Sequence, residues 1–285
     1  MNISPPRSRR SGREGAPVLK DITLGQYFPG DTVIHRLDPR TKLILVIVFI
    51  VALFLAVDWI SYAVMFLVTA ACVKVSTIKL KSILKGLKPL IFIIVFTGIL
   101  NLFYTKGGTV LFDWWIFTVT TEGIKRAFLM VVRIMLLITG TFLLTYTTSP
   151  IALTDGLEIL LGPLKKIHVP VHEMSMMMSM ALRFIPTLIE ETDKIMSAQK
   201  ARGADFSTGK ITDRAKALLP LLVPLFVSSF RRADELAVAM ESRCYHGGEG
   251  RTRMNSLHLA RRDYLAFLAG AVVLGGMIVM NVYGI

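Results

Sequence analysis

Long apolar runs constrain this chain more than any other feature of its sequence. Hydrophobic residues make up 53% of its 285 residues. They are concentrated in five stretches, at residues 43–57, 59–73, 89–104, 127–146 and 264–283. About 20 apolar residues cross a bilayer as a helix, and Asp58 between the first two runs suits the turn of a helical hairpin. The sequence predicts an all-α polytopic membrane protein with about five transmembrane helices plus long cytoplasmic helices.

Lysine and arginine residues are distributed unevenly between these runs. With five spans, segments 1–42, 74–88 and 149–263 share one side of the membrane and carry 29 of the 33 basic residues. The other side carries three, which are Lys106, Lys125 and Arg126. Because basic residues concentrate in cytoplasmic loops, we expect a multi-pass protein of the bacterial inner membrane with a cytoplasmic N-terminus and an extracellular C-terminus. The net charge of +13 then needs no nucleic-acid partner.

The runs and their charged flanks divide the chain into four expected segments. These are a cytoplasmic N-terminal segment (1–42), transmembrane helices 1–4 (43–148), cytoplasmic or interfacial helices (149–263) and transmembrane helix 5 (264–285). The first segment begins with the composition of a disordered basic tail, in which Ser, Pro and Gly surround Arg7, Arg9, Arg10 and Arg13.

The entry to the first span has clear helix-start signals. Asp38 is a good capping residue, and Pro39 suits the first helical position. Arg40 and Lys42 follow in the first turn, and we expect both side chains to extend to the lipid phosphates.

Two long helices are predicted in the third segment. Apolar residues at three-and-four spacing occupy residues 171–202, and Gly203 is placed to end that helix. A second pattern occupies residues 212–246 and is followed by Gly247–Gly248. A shorter helix is predicted at residues 151–161, capped by Thr148, Ser149 and Pro150.

The ends of the two long helices resemble each other. Arg202 lies between Ala201 and Gly203, and Arg243 lies between Ser242 and Cys244. An arginine in a last turn commonly complements the helix dipole, which needs no partner. Alternatively, small neighbours let the helix end enter a groove, where the guanidinium makes forked hydrogen bonds. Two copies favour the second interpretation.

These helix ends are part of a wider resemblance. Together with residues 25–31 (Gly-Gln-Tyr-Phe-Pro-Gly-Asp) and 35–43 (His-Arg-Leu-Asp-Pro-Arg-Thr-Lys-Leu), they resemble the transmembrane scaffold subunit of energy-coupling factor transporters. That family includes the corresponding subunit of cobalt and nickel importers. The resemblance covers nearly the whole chain. The Ala-Arg-Gly signature is intact at 201–203, whereas the second copy has lost its glycine at Cys244.

The resemblance implies an importer of four parts. Two ABC ATPase subunits would hydrolyse ATP, and a small membrane subunit would capture a vitamin or metal ion. This chain would couple them without catalysis or a cofactor, with segment 149–263 as coupling helices. The ATPase-binding residues implied are those of the two helix ends: Ala201, Arg202, Gly203, Ser242, Arg243 and Cys244.

A methionine-rich stretch follows the start of the first long helix. Its members are Met174, Met176, Met177, Met178 and Met180. Methionine fills gaps in cores, but it also forms adaptable binding surfaces. The two interpretations stay open, and the second predicts a surface for exchangeable substrate-capturing subunits.

Other polar residues give weaker signals. His168, His172 and Glu173 lie close in sequence, but Pro170 interrupts them and too few ligands are near for a metal site. Arg133 inside a span favours helix pairing over extension to the membrane surface. We find no persuasive catalytic grouping, so an enzyme is not expected. A self-contained secondary transporter and a membrane signalling or assembly scaffold remain the alternative functions.

Overall fold

The computed structural model describes residues 27–105, 107, 109–114, 117–204, 211–248 and 257–283. The predicted basic tail at Arg7–Arg13, together with Gly25 and Gln26, lies outside the described residues. The α-helices in the described part are α1 (Pro39–Leu55), α2 (Trp59–Ser76), α3 (Leu80–Leu87), α4 (Ile91–Tyr104), α5 (Thr121–Thr147), α6 (Pro150–Leu160), α7 (Val171–Ala201), α8 (Ile211–Glu241) and α9 (Arg261–Tyr283). Short 3₁₀ turns occur at Lys88–Leu90 and Gly162–Ile167.

Four helical stretches in the described part of the chain are long and apolar enough to cross a membrane. They are α2, the continuous stretch Leu80–Tyr104, α5 and α9. α1 has 17 residues, which is the lower end of the length that spans a bilayer. The prediction of an all-α polytopic membrane protein is confirmed.

A short β-hairpin is the exception to the all-α architecture. Strands β1 (Val110–Trp114) and β2 (Phe117–Thr120) pair antiparallel, with Val110 opposite Thr120. β1 contains Asp113 and Trp114 of the aromatic Asp113–Trp115 stretch, and Trp115 lies outside the described residues. Aromatic and β-branched residues recur on both sides of the turn, and such residues favour extended pairing.

By internal contacts, the chain forms two compact units. The described residues of the smaller unit are 180–204 and 211–248, and the larger unit contains the remaining described residues. In the larger unit, Leu53 of α1, Met65 of α2 and Met277 of α9 are fully buried in one cluster with α5. Because lipid is as apolar as these side chains, close packing rather than exclusion of water holds such spans together.

The start of α1 is a buried polar junction. Asp38 caps the helix by accepting a 2.9 Å hydrogen bond from the Arg40 amide, with Pro39 at the first helical position, as predicted. The Lys42 ammonium donates to the Thr147 carbonyl (2.8 Å) and is buried. The Arg40 guanidinium donates to the Leu257 carbonyl at 2.6 Å. The expectation that both side chains reach lipid phosphates is therefore wrong, because backbone carbonyls at the end of α5 and before α9 accept their hydrogen bonds.

Asp263 joins α9 to this junction. One carboxylate oxygen accepts the Asp38 amide at 2.9 Å, and the other accepts the Ala260 amide at 2.8 Å. The side chain is only 2% exposed. Buried charge is tolerated where hydrogen bonds satisfy it, and here one carboxylate satisfies backbone donors at the starts of two helices.

Arg133 pairs helices within the larger unit. From α5, its guanidinium donates to the Tyr62 hydroxyl of α2 (2.7 Å) and to the Ala56 carbonyl at the end of α1 (2.9 Å). The Phe54 and Tyr62 rings each lie 5.6 Å from its guanidinium carbon. The contacts support the interpretation of Arg133 as a helix-pairing residue, and they place it at the turn of the α1–α2 hairpin.

Candidate functional site

The first candidate helix end closes α7 with a glycine. Gly203 has a φ of +88°, a left-handed conformation that glycine adopts without steric cost. Its amide donates to the Lys200 carbonyl at 3.0 Å, and the Ala204 amide donates back to the Gln199 carbonyl at 3.0 Å. This pair of hydrogen bonds is a Schellman motif, in which Arg202 is the capping residue.

The second helix end closes α8 in the same way with a cysteine. Cys244 has a φ of +56° and donates its amide to the Glu241 carbonyl at 2.9 Å. The Tyr245 amide donates to the Met240 carbonyl at 3.1 Å. Each of these residues lies 41 positions after its counterpart at the end of α7. Loss of the glycine has therefore not changed the backbone of the second signature.

The predicted end of α8 at residue 246 is wrong. The helix ends at Glu241, and Gly247–Gly248 follow it by several residues. The left-handed Cys244 already reverses the chain, which sequence reasoning assigned to the glycines. The sequence signal for the end of α8 was the position of Cys244 in the repeated motif, because the residue there is not a glycine.

Both candidate arginines are available to a partner. Arg202 and Arg243 are exposed, and neither side chain has an ion pair or hydrogen bond with another described residue. Each is the cap residue of a turn, so its guanidinium projects from the end of a long helix. The geometry suits forked hydrogen bonds to a carboxylate or to backbone carbonyls.

A charge pair connects α7 and α8 in the smaller unit. The Arg232 guanidinium donates to Glu191 at 3.2 Å, and the Ser228 hydroxyl donates to the other carboxylate oxygen. Arg232 also lies over the Phe184 ring, 5.7 Å from its centroid. Sequence reasoning missed this contact, although the 41-residue offset that relates the helix ends also relates Glu191 to Arg232.

Comparisons with known proteins identify the family of this chain. The family model described as cobalt transport protein, CbiQ, matches residues 30–254. The chain belongs to the CbiQ family. Three relatives are energy-coupling factor transporter transmembrane proteins. That of Ruminiclostridium cellulolyticum is 53% identical over 264 residues, covering 93% of this chain and 98% of the relative. That of Thermosediminibacter oceani is 54% identical over 260 residues, covering 91% and 98%. That of Listeria innocua is 48% identical over 258 residues, covering 90% and 97%.

Membership confirms the resemblance seen in the sequence. This CbiQ-family chain is a transmembrane component of an energy-coupling factor transporter, a non-catalytic subunit and a multi-pass membrane protein. Residues 30–254 include both helix ends and the Glu191–Arg232 pair.

The methionine stretch of this CbiQ-family chain has one open face. Met174, Met177 and Met178 follow three-and-four spacing on α7, and their side chains are 47%, 58% and 46% exposed. Met176 and Met180 are partly buried. Three adjacent exposed methionines form an apolar, deformable surface, which we call the methionine face.

The histidine candidates do not come together as a metal site. The His172 ring nitrogen lies 3.0 Å from a carboxylate oxygen of Glu158, which joins α7 to α6. His168 has a φ of +62° in the turn that precedes α7 and is exposed. Among the described residues, no group of three potential ligands is close enough to hold a metal ion.

Proposed function

We propose that this chain couples two ABC ATPase subunits to a small substrate-capturing membrane subunit, for uptake of a vitamin or other micronutrient. The observation that supports this proposal is the duplicated helix end. Two Schellman turns with the same hydrogen bonds each present an exposed arginine, and two equivalent ends suit two equivalent ATPases.

Each arginine would bind a groove on one ATPase. The last turn is narrow because Ala201 and Gly203, or Ser242 and Cys244, flank the arginine. A planar guanidinium with five donors can then satisfy carboxylate or carbonyl oxygens of the groove, which lysine cannot do with the same geometry. ATP-driven closure of the ATPases would draw the two helix ends together.

The methionine face would bind the substrate-capturing subunit. Its side chains can repack against different partners, as exchangeable subunits require. Of the five methionines in the predicted surface, Met174, Met177 and Met178 are the exposed ones, whereas Met176 and Met180 are partly buried.

The helix ends would lie in the cytoplasm. Segments 1–42, 74–88 and 149–263, which contain the start of α1, the α3 region and α6–α8, carry 29 of the 33 basic residues. This supports a cytoplasmic N-terminus and an extracellular C-terminus. In intact cells, an impermeant thiol reagent should label a cysteine placed at Gly107 but not one placed at Ser197. The reverse pattern would contradict this orientation.

The test of the proposal is retention of the ATPases by the purified complex. Leaving the groove's polar groups unpaired should cost about 2–5 kcal/mol of binding, so Arg202→Ala with Arg243→Ala should release both ATPases and abolish uptake. Lysine at both positions should rescue binding only in part. The control is Arg183→Ala with Arg231→Ala, which removes two exposed arginines from the same helices. A stably folded double variant that keeps its ATPases at normal affinity would show that the arginines are only helix caps.

A further inference from the structure

Lysine residues crowd the segment that joins α2 to α4. Between Asp58 and Asp113 the chain has no acidic residue. Lys79, Lys81, Lys85 and Lys88 lie in the joining segment, and Lys74 lies in the last turn of α2 just before it. All five are exposed, and none has an ion pair with another described residue. Clustered positive charge without acidic neighbours attracts anions.

The lysines of α3 occupy one face of a helix fixed on the protein. Ile83 and Leu87 bury the opposite face in a cluster with Tyr146 of α5. Gly86 allows close approach, because a Cβ there would lie 2.6 Å from the Phe142 ring. The Tyr146 hydroxyl also lies 3.4 Å from the Ser82 carbonyl. The packing of α3 against α5 therefore fixes the orientation of the lysine face.

Two exposed leucines adjoin the lysine face. At about 100° per residue, Leu80 and Leu84 lie between the buried face and the face of Lys81, Lys85 and Lys88. Their side chains are 63% and 55% exposed. Apolar side chains beside lysines on one helix are the pattern of a helix in the membrane interface, where lysines bind headgroups and leucines contact acyl chains.

The length of the helical stretch that contains α3 also places α3 in the membrane interface. The continuous stretch Leu80–Tyr104 has 25 residues, or about 37 Å at 1.5 Å per residue, against a hydrocarbon core of about 30 Å. Its α4 part is strongly apolar on the outside, with Phe92 77% exposed. The α3 end of this stretch therefore extends into the headgroup layer.

We propose that the surface formed by Leu80, Lys81, Leu84, Lys85 and Lys88 binds the headgroup of an anionic phospholipid. A lysine ammonium is a compact charge that binds phosphate oxygens without demanding one geometry. The exposed leucines favour a lipid over a soluble phosphate, because only a lipid brings an acyl chain that can cover them. Through this surface, the region where α3 packs against α5 binds anionic lipid.

Native mass spectrometry of the full-length chain tests this proposal. Purified protein is titrated with phosphatidylglycerol and with phosphatidylcholine of the same acyl chains. Wild type should prefer phosphatidylglycerol, and Lys81→Gln with Lys85→Gln should reduce that preference on the order of 10-fold, since each lysine near an anionic surface contributes severalfold. The matched control is Lys165→Gln with Lys166→Gln, two exposed lysines of the second 3₁₀ turn, which should leave the preference unchanged.

Four outcomes would overturn the proposal. The Lys81→Gln with Lys85→Gln variant could retain the full preference for phosphatidylglycerol. The control variant could instead lose the preference equally, which would show general attraction of lipid to a basic surface. Inorganic phosphate at matched concentration could displace the lipid, which would identify a soluble ligand. Finally, the double variant could keep its lipid preference yet lose protein subunits from the purified complex, which would assign the lysines to an acidic protein partner.

Discussion

Glu191 and Arg232 form an ion pair at equivalent positions of two helices. Glu191 lies eleven residues before Arg202, and Arg232 lies eleven residues before Arg243. At 1.5 Å per residue, the contact is about 16 Å along the axis from each helix end. The two helices are thus joined at matched distances from the two proposed ATPase contacts. A contact in this position can act as a pivot about which the two helices rotate relative to each other.

Breaking this pair should uncouple ATP hydrolysis from uptake. Both side chains are partly exposed, so Glu191→Gln should cost only about 1 kcal/mol of stability or less. The ATPases should stay bound and active, because Arg202 and Arg243 are untouched, while substrate imported per ATP hydrolysed falls severalfold. Proteoliposomes allow both rates to be measured together.

The controls separate a pivot from general damage. Glu190→Gln changes an exposed neighbouring carboxylate and should have no effect. Exchanging the charges, with Glu191→Arg and Arg232→Glu, should restore part of the coupling. Unchanged uptake in the Glu191→Gln protein would contradict the role of the pair.

Cys244 should be replaceable by glycine with a gain in stability. A non-glycine residue in a left-handed conformation costs about 1 kcal/mol, and Cys244 has a φ of +56°. Cys244→Gly should therefore raise the midpoint of thermal unfolding by a few degrees and keep the ATPases bound. Thermal unfolding in detergent measures the first effect and co-purification the second.

The reciprocal change at the other helix end serves as the comparison. Gly203 has a φ of +88°, and an added Cβ there would meet no atom within 4 Å. Gly203→Cys should thus lower stability through backbone strain alone, by roughly the amount that Cys244→Gly gains. Equal stability of all three proteins would show that the turns are not under strain.

Much of the fold could be predicted because its signals are local. The length of the apolar runs indicated the spans. Asp38 and Ser149 indicated helix starts because their side chains accept hydrogen bonds from backbone amides, and Gly203 indicated a helix end because glycine readily adopts a left-handed conformation. The burial of Lys42 was missed because its acceptor, the Thr147 carbonyl, lies 105 residues away in sequence. No local pattern announces such a partner.

The candidate site was predictable only in part for the same reason. The arginines at both helix ends stand out because they repeat a local motif. The Glu191–Arg232 contact depends on where α7 and α8 approach each other, which no window of sequence specifies. Likewise, all five methionines looked alike in sequence, and only the structure distinguished the exposed ones from the partly buried ones.

The methionine face can be tested by charge. Replacing Met174, Met177 and Met178 with aspartate should release the substrate-capturing subunit, because three carboxylates cannot be buried against an apolar partner. The ATPases should remain bound. Native gels of the complex report both subunits. Simultaneous loss of both kinds of partner, or of folding, would favour a packing role, and Met→Leu at the three positions should be tolerated.

The final prediction concerns Asp263, whose carboxylate joins α9 to α1. Asp263→Ala would leave the buried Asp38 and Ala260 amides without an acceptor, and an unsatisfied buried donor costs about 1–3 kcal/mol. We expect a fall of several degrees in the thermal midpoint. Asp263→Asn keeps one oxygen acceptor but loses the charge, so its loss should be smaller than that of alanine.

A matched carboxylate distinguishes the buried junction from surface charge. Asp31 pairs with Arg36 at 3.6 Å, but its side chain is 92% exposed. Asp31→Ala should therefore change stability by less than about 0.5 kcal/mol, since exposed ion pairs contribute little. If Asp263→Ala were as mild as Asp31→Ala in detergent, solvent would have to replace both hydrogen bonds, and the junction could not be what holds α9 against the start of α1.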